Sequence, residues 1–579
     1  MTRKKRILRL ILFLLFLALI LFIVCSGKRF VDNYREEKHQ ELSISGGIVP
    51  HHLLAKDIID KFFQYLSKEN KENIVILSPD HFDISVLTGS SYIGVSSEEE
   101  RFLDCPINTA LLNSMDSLNL THNSGAVAAD HGISNLTPFV KKYLPESKIL
   151  PLLISPRATA VEIEELIQIL NRISEANPIV IASVDFSHYL PRAVAEFHDV
   201  KSISTLVDFR KEAFLNLEVD SWQALYGARL FARLKAMEKV RIIGRGGSWD
   251  YVGGGTTGEN EETTSYFSVI FQNTSQGPET DKGKTMLFVG NVILDGSVAI
   301  LINENTELYP FQKIERFLRG VDLVIGNLEG PTTFAPNDSP EDPPNFNFLP
   351  EIAEGLSWSH FNLLSIANNY ALNREGQGLV ETKEVLEKWS INYLGDPITY
   401  GAESIDETGG VVFLSFNQTL PQNYSDTQIL TLISETRTTK SDSFIIAIIR
   451  WGEEGGLPTS TKQRRLAHKI IAAGADMIVG YCSHVIQDIE IYENKPIFYS
   501  LGNFILAPPP PEESQEGLVI GVELYENQAK YHLFPIKISQ SQPLLVTGVE
   551  RREFLQRLAG RNKSRLYDSI KNGILETKR

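Results

Sequence analysis

Ile179-Val-Ile-Ala-Ser-Val-Asp-Phe-Ser-His-Tyr189 sets a short apolar, β-branched run directly before an aspartate, Asp185, and a histidine, His188. A helical pattern over about 161–175 precedes it, so the run reads as a buried strand that follows a helix. In a sheet whose strands alternate with helices, residues just past the carboxyl end of a strand line the ligand crevice. This stretch therefore predicts an α/β layering and marks the edge of the sheet where chemistry sits.

The same arrangement recurs upstream. Ile58, Ile59, Phe62, Phe63 and Leu66 fall at helical spacing, and a strand Ile74-Val-Ile-Leu77 follows. Its end runs into Ser78-Pro-Asp-His-Phe82, which puts His81 in the position that Asp185 and His188 hold in the first stretch. His51 and His52, in Val49-Pro-His-His-Leu53, precede the helix, and Asp130-His131 adds a fourth element. Eight of the twelve histidines lie between His39 and His198. Imidazoles and carboxylates converging from several strand ends suit a divalent ion such as zinc or iron.

A polar stretch at 273–284 separates two strand-like runs, Ser265–Phe271 and Thr285–Val289, and divides the chain. Beyond it the pattern is again α/β. A helix is expected over 310–319. Ser460-Thr-Lys-Gln463 reads as a capping box opening a helix that ends at Gly474, and strand Met477–Val479 follows. Polar residues again stand at strand ends: Phe288-Val-Gly-Asn291, Val324-Ile-Gly-Asn-Leu-Glu329, Ile366-Ala-Asn-Asn-Tyr370, Ile449-Arg-Trp-Gly-Glu453, Gly480-Tyr-Cys-Ser-His-Val485 and Tyr499-Ser-Leu-Gly-Asn-Phe504. A two-metal phosphoesterase assembles amide, carboxylate and imidazole ligands in this way. Here, however, amides outnumber carboxylates, and Arg450 brings a fixed cation.

Composition bounds the partners. The chain has 579 residues with 42% hydrophobic and 22% charged content, enough for more than one folded core. Three cysteines rule out a disulfide framework and a four-cysteine zinc site. A net charge of −16 disfavours nonspecific nucleic-acid binding, which needs a basic face, and no nucleic-acid partner is expected. Residues 1–30 differ: seven Lys/Arg, no acid, and sixteen consecutive apolar residues from Leu10 to Cys25. Sixteen helical residues rise roughly 24 Å, and flanking residues extend the run toward the ~30 Å of a hydrocarbon core. Leu21-Phe-Ile-Val24 offers no small residues for cleavage, so the segment predicts an uncleaved signal anchor. The membrane partner is then residues 7–27, with a cytoplasmic N-terminus and the bulk of this single-pass chain outside.

The first-half phrases at 50–52, 78–81, 184–189 and Thr264-Ser-Tyr-Phe267, with Asp130-His-Gly-Ile-Ser-Asn-Leu-Thr-Pro-Phe139, resemble the motif series of the Memo family, bacterial members of which are called AmmeMemoRadiSam system protein B. The resemblance implies a fold like class III extradiol dioxygenases. It places His51 and His81 on two metal-ligand positions, with His131, Asp185 and His188 in the polar shell. Tyr226, before Gly227, takes the place where the family often has a cysteine ligand. The second-half phrases resemble the capsule synthesis CapA family, which implies a metallophosphatase-like four-layer α/β/β/α sandwich and a link to poly-γ-glutamate capsules. Here the family's ligands are altered: Asn291 replaces an aspartate, Tyr370 a histidine, Arg450 a histidine and Cys482 a histidine, while Asn327, Glu329, Asn368, Asn369 and His484 survive. Losing anions and adding a cation weakens divalent-ion binding.

The expected organisation is a basic stub and anchor at 1–30, a linker at 31–44, a Memo-like domain at 45–272, a linker at 273–284, a CapA-like domain at 285–545 and a charged helix or tail at 546–579. Asp185 and His188 are the expected catalytic pair, and His51 and His81 the metal ligands. His131, Tyr226, Asn291, Asn327, Glu329, Asn368, Asn369, Arg450 and His484 are expected to bind ligand. The resemblances imply a role in biosynthesis or processing of envelope or capsular polymer. Two classes of activity stay open: a metal-dependent hydrolase or other metalloenzyme at the first site, or a noncatalytic scaffold that binds an anionic polymer or small ligand.

Overall fold

The computed structural model describes residues 44–579, apart from 69–71, 174–177, 252–261, 274–281, 335–345, 398–402, 406–409, 420–424 and 508–511. The first lobe is built on a nine-stranded sheet. Its four central strands, Ile44–Val49, Ile179–Ser183, Asn73–Pro79 and Lys148–Ile154, run parallel in that spatial order. Almost every residue in them is buried, as expected when helices cover both faces. Helix Ala160–Arg172 is opened by a Thr159–Glu162 capping box and buries Ile163, Leu166, Ile167 and Leu170. Because the central strands are parallel, Val49, Pro79 and Ser183 end at one edge. His51, His81 and Asp185 each lie two residues beyond.

The second lobe has two sheets. A nine-stranded sheet carries Lys284–Val292, Leu323–Leu328 and Phe361–Ser365 as parallel neighbours. A six-stranded sheet carries Val411–Asn417, Phe444–Arg450 and Met477–Tyr481, likewise parallel. Met286, Phe288 and Ile325 of the first sheet share one core with Phe413, Ile446, Ile448 and Val479 of the second, so the sheets face each other. Helices Asp426–Thr439 and Thr461–Ala473 close the outer face of the smaller sheet through Ile429, Ile433, Leu466 and Ile470. Residues 546–579 hold helix Gly548–Arg561 and a strand Ile574–Lys578 that pairs antiparallel with Gln528–Ser539.

Two expectations are corrected. No helix among the described residues is long and apolar enough to cross a membrane. The transmembrane helix expected over 7–27, and the single-pass membrane location drawn from it, therefore find no support; residues 7–27 lie outside the described residues. The helix expected over 310–319 is instead a 3₁₀ turn at Tyr309–Phe311 followed by helix Glu315–Arg319. Pro310 suits a first turn, but Ile314, at φ −120°, leaves helical backbone and splits the two, and Gly320 follows the last helical residue.

Helix Arg192–Asp208 joins the lobes and is buried nearly all round. Val194 and Phe197 enter the core on the outer face of the nine-stranded sheet, where Phe197 meets Phe534 at 5.7 Å between ring centroids. His198 Nε2 lies 2.9 Å from the carbonyl of Phe317, and Lys201 Nζ donates to the carbonyls of Asn216, Arg319 and Val321. The bonds to Phe317 and Arg319 satisfy carbonyls that helix Glu315–Arg319 leaves open at its C-terminal end.

Candidate metal centre and its counterpart in the second lobe

Three imidazoles meet at the strand-end edge of the first lobe. Ring centroids are 4.8 Å apart for His51 and His81, 5.1 Å for His51 and His131, and 3.8 Å for His81 and His131. One ligand atom from each lies within 4.8 Å of the others. Asp130, fully buried, organises two of them. It caps the short helix His131–Ser134, accepting from the Gly132 N–H at 2.8 Å, and its Oδ1 lies 2.8 Å from His81 Nδ1. A carboxylate at Nδ1 fixes the proton there and leaves Nε2 as a free donor pair, the usual support of a metal-bound histidine. Burial opposes ionisation of Asp130, but the His81 ring and the N–H groups of His81 and Gly132 hold its carboxyl below the usual range. The turn is tight enough to require glycine: a Cβ on Gly132 would stand 2.0 Å from Ser78 Oγ.

His51 is the centre of the cluster, 2% exposed. Its Nδ1 lies 3.3 Å from Ser183 Oγ, and its Nε2 is 3.5 Å from both Asp185 Oδ2 and Asp220 Oδ2. Burial, then the neighbouring His81 and His131, hold it well below the ordinary histidine range, so it is a neutral imidazole at neutral pH. His131 is lowered likewise, by burial and by His81. His188 is held at about 4, chiefly by burial against the opposing charge of Asp185.

Asp220 was missed by sequence reasoning. It follows no strand and belongs to no quoted phrase. Tertiary pairing presents it: the Asp220 N–H donates to the Asp185 carbonyl at 3.1 Å, and the Asp185 N–H donates back to Asp220 Oδ2 at 2.9 Å. Burial raises both carboxyls, and the charge of Asp185 raises Asp220 further. Asp220 Oδ1 is buried and has no hydrogen-bond partner among the described residues. His51, Asp185 and Asp220 form a second group whose ligand atoms lie within 4.8 Å. Neutral imidazoles, two carboxylates and an orphaned carboxylate oxygen fit a divalent ion. Tyr226 sits elsewhere. On helix Trp222–Leu234, its hydroxyl donates to Glu164 at 2.8 Å and its ring packs on Phe209 and Phe214.

The second lobe also gathers its strand-end residues, but around a cation of its own. Asn327 Nδ2 donates to Asn291 Oδ1 at 3.0 Å and to Glu329 Oε1 at 2.8 Å, and Asn368 Nδ2 donates to Asn327 Oδ1 at 3.3 Å. His484 Nδ1 lies 2.9 Å from Asn503 Oδ1, which also accepts from Asn291. Asn503 belongs to the strand-end phrase Tyr499–Phe504, yet it was not among the expected ligands. Arg450, 3% exposed, donates from Nε to Glu329 Oε1 at 3.3 Å and from Nη2 to Glu454 Oε1 at 3.5 Å. Its guanidinium also lies 5.2 Å from the centre of the Tyr370 ring, whose hydroxyl donates to Glu454. Burial opposes the charge, but Glu329 and its neighbours raise Arg450 above its usual value. Asn369 Oδ1 is buried without a hydrogen-bond partner among the described residues. This set does not fit a dinuclear metal centre: Glu329 is its one fully buried carboxylate, and its Oε2 lacks a hydrogen-bond partner among the described residues, but its Oε1 already faces a guanidinium whose charge opposes two further cations.

Comparison with known proteins agrees with both halves. Residues 27–270 match the Memo-like protein family, and residues 285–507 match the bacterial capsule synthesis protein PGA_cap. The PGA biosynthesis protein CapA of Bacillus subtilis is 26% identical over 276 residues, 44% of this chain and 72% of that protein. The capsule biosynthesis protein CapA of Bacillus anthracis is 24% identical over 330 residues, 51% of this chain and 77% of its own length. A MEMO1 family protein of Caldivirga maquilingensis is 23% identical over 270 residues, 42% of this chain and 88% of that protein. The chain thus joins a Memo-like region to a bacterial capsule synthesis, CapA-like region, in that order.

Proposed function

We propose that the chain serves in the biosynthesis or processing of a capsular polymer, with a divalent-metal site in the first lobe and a ligand-binding frame in the second. The convergence of His51, His81 and His131 within 4.8 Å, with His81 fixed by Asp130, carries this reading. His51, His81 and His131 would hold the ion, zinc or iron, with Asp220 beside them. When bound, such an ion supplies Lewis acidity. The chain's own groups supply proton handling. Asp185 and Asp220 lie too close and too buried to ionise together, so the pair retains a proton, while His188, held neutral, accepts one. Asp185 and His188 are therefore the proposed catalytic residues.

The second lobe, with Asn291, Asn327, Asn368 and His484 tied to Glu329 and Arg450, is proposed to bind ligand without catalysis. The names of the capsule relatives support an anionic polymer as that ligand. The test is metal analysis of the purified chain after equilibration with zinc or ferrous iron. One ion is expected, and His51→Ala with His81→Ala should lose it. Two ions retained in that double variant would refute the assignment. A second reading, a scaffold with no catalytic site, is favoured by the buried Arg450–Glu329 pair and predicts no ion in the unaltered chain.

A further inference from the structure

The first-lobe site is held in place from the second lobe. Glu218, 3% exposed, stands two residues before Asp220 and accepts from two arginines of helix Glu315–Arg319. Arg316 Nε lies 3.0 Å from Glu218 Oε1. Arg319 Nε and Nη2 lie 3.1 and 2.7 Å from Oε2. The helix is in turn fixed by the first lobe, through His198 and Lys201 on its C-terminal carbonyls. Arg316 also lies over the ring of Tyr189, 5.8 Å from its centre, next to His188.

Between the arginines and the histidines runs a short segment that bends at Glu218 and at Asp220. The Glu218 carbonyl accepts from the Ser187 N–H at 2.9 Å, Val219 bridges Phe186, and the Asp220 N–H donates to Asp185. Each of its three residues is tied by its backbone to the 185–187 stretch, so the segment moves as one piece. Whatever fixes the Glu218 side chain therefore fixes where the Asp220 carboxylate points. Among the described residues buried Glu218 has no other ion-pair partner, so without the arginines it would be an uncompensated buried anion and the segment would shift.

We propose that Arg316 and Arg319 are positioning residues for the first-lobe metal site: they clamp Glu218, the clamp sets the 218–220 segment, and Asp220 supplies an oxygen ligand beside His51. The Tyr226 position, where the resemblance expects a thiolate, is thereby replaced by a carboxylate whose placement depends on the fused second lobe. This rests on the metal-site reading above and deepens it.

The test uses the full chain and Co(II) alone, following affinity by titration and ligand geometry by the visible absorption of the bound ion. Asp220→Asn should weaken binding about ten- to a hundredfold and alter the spectrum, within the range that supporting groups of metal sites give. Arg316→Gln with Arg319→Gln should weaken it in the same direction, and Arg316→Lys with Arg319→Lys should restore part of the loss. Glu218→Gln, nearly isosteric and free of the folding risk of an unpaired anion, should reproduce the effect. Arg210→Gln breaks another ion pair between the lobes, Arg210–Asp322, and should leave affinity and spectrum unchanged. If the Glu218 and double-glutamine variants bind Co(II) as the unaltered chain does, or if Arg210→Gln weakens binding equally, this inference falls while the metal site stands. If the unaltered chain binds no Co(II), both fall together.

Discussion

The two lobes solve the same geometric problem and arrive at opposite electrostatics. Each brings polar residues to the carboxyl ends of buried parallel strands. In the first lobe those residues include His51 and His131, lowered chiefly by burial, and Asp185, whose carboxyl burial raises together with that of Asp220, so the site lacks a fixed cation at its centre. In the second the cation is built in: Arg450 is buried against Glu329, and the remaining strand ends carry amides that bond to one another. A strand-end crevice is thus neutral about function. Whether it recruits an ion depends on whether the chain has already spent its anions on a guanidinium.

The largest effect on this contrast is expected from Arg450→Ala. It leaves Glu329 buried without its partner and should lower stability by about 3–5 kcal/mol, read from denaturant unfolding. Replacing both partners, Arg450→Met with Glu329→Gln, should recover most of that loss. Full stability in the single variant would mean that Arg450 is not the second lobe's internal cation.

Acid should separate the lobes next. His188 is held at about 4 against an ordinary value near 6.5, and His51 is lowered too. Both gain protons in the unfolded chain before the folded one. Without metal, stability is therefore full above the ordinary histidine range and is lost as pH falls from about 6.5 toward 4. Each such group steepens the slope by at most about 1.4 kcal/mol per pH unit. Arg450 stays charged throughout that window. His188→Asn should flatten the slope, measured as unfolding midpoint against pH; an unchanged slope would place the acid sensitivity elsewhere.

Tyr226→Phe should do least. Removing its hydroxyl costs one bond to Glu164, about 0.5–1.5 kcal/mol, and metal affinity should stay within about twofold. A larger loss of metal would bring Tyr226 back into the site.

What could be read from the chain itself follows from how local each signal is. A strand followed at once by Asp185 and His188, or by His81, announces its own position, because strand direction and adjacency settle where those side chains emerge. The Arg450 substitution announced a cation for the same reason, though not that Glu329, far along the chain, would be its partner. Asp220 gave no such sign. Its placement comes from backbone bonds to Asp185 that exist only after folding, and spacing alone had pointed to Tyr226 instead. Helix Arg192–Asp208 was also silent, since a helix buried on both sides shows no apolar stripe to read. A hydrophobic run at 10–25 is a strong local signal of the same kind, but no membrane-crossing helix occurs among the described residues.

That wedge-like helix has a practical consequence for anyone wishing to dissect the molecule. Cutting the chain within 273–284 would leave Phe197 still seated against Phe534, and Lys201 still bonded to carbonyls across the divide. The fragments should therefore co-purify as a nicked pair. Expressing either half alone would strip an oily helix face or an oily sheet face of its cover and invite clumping.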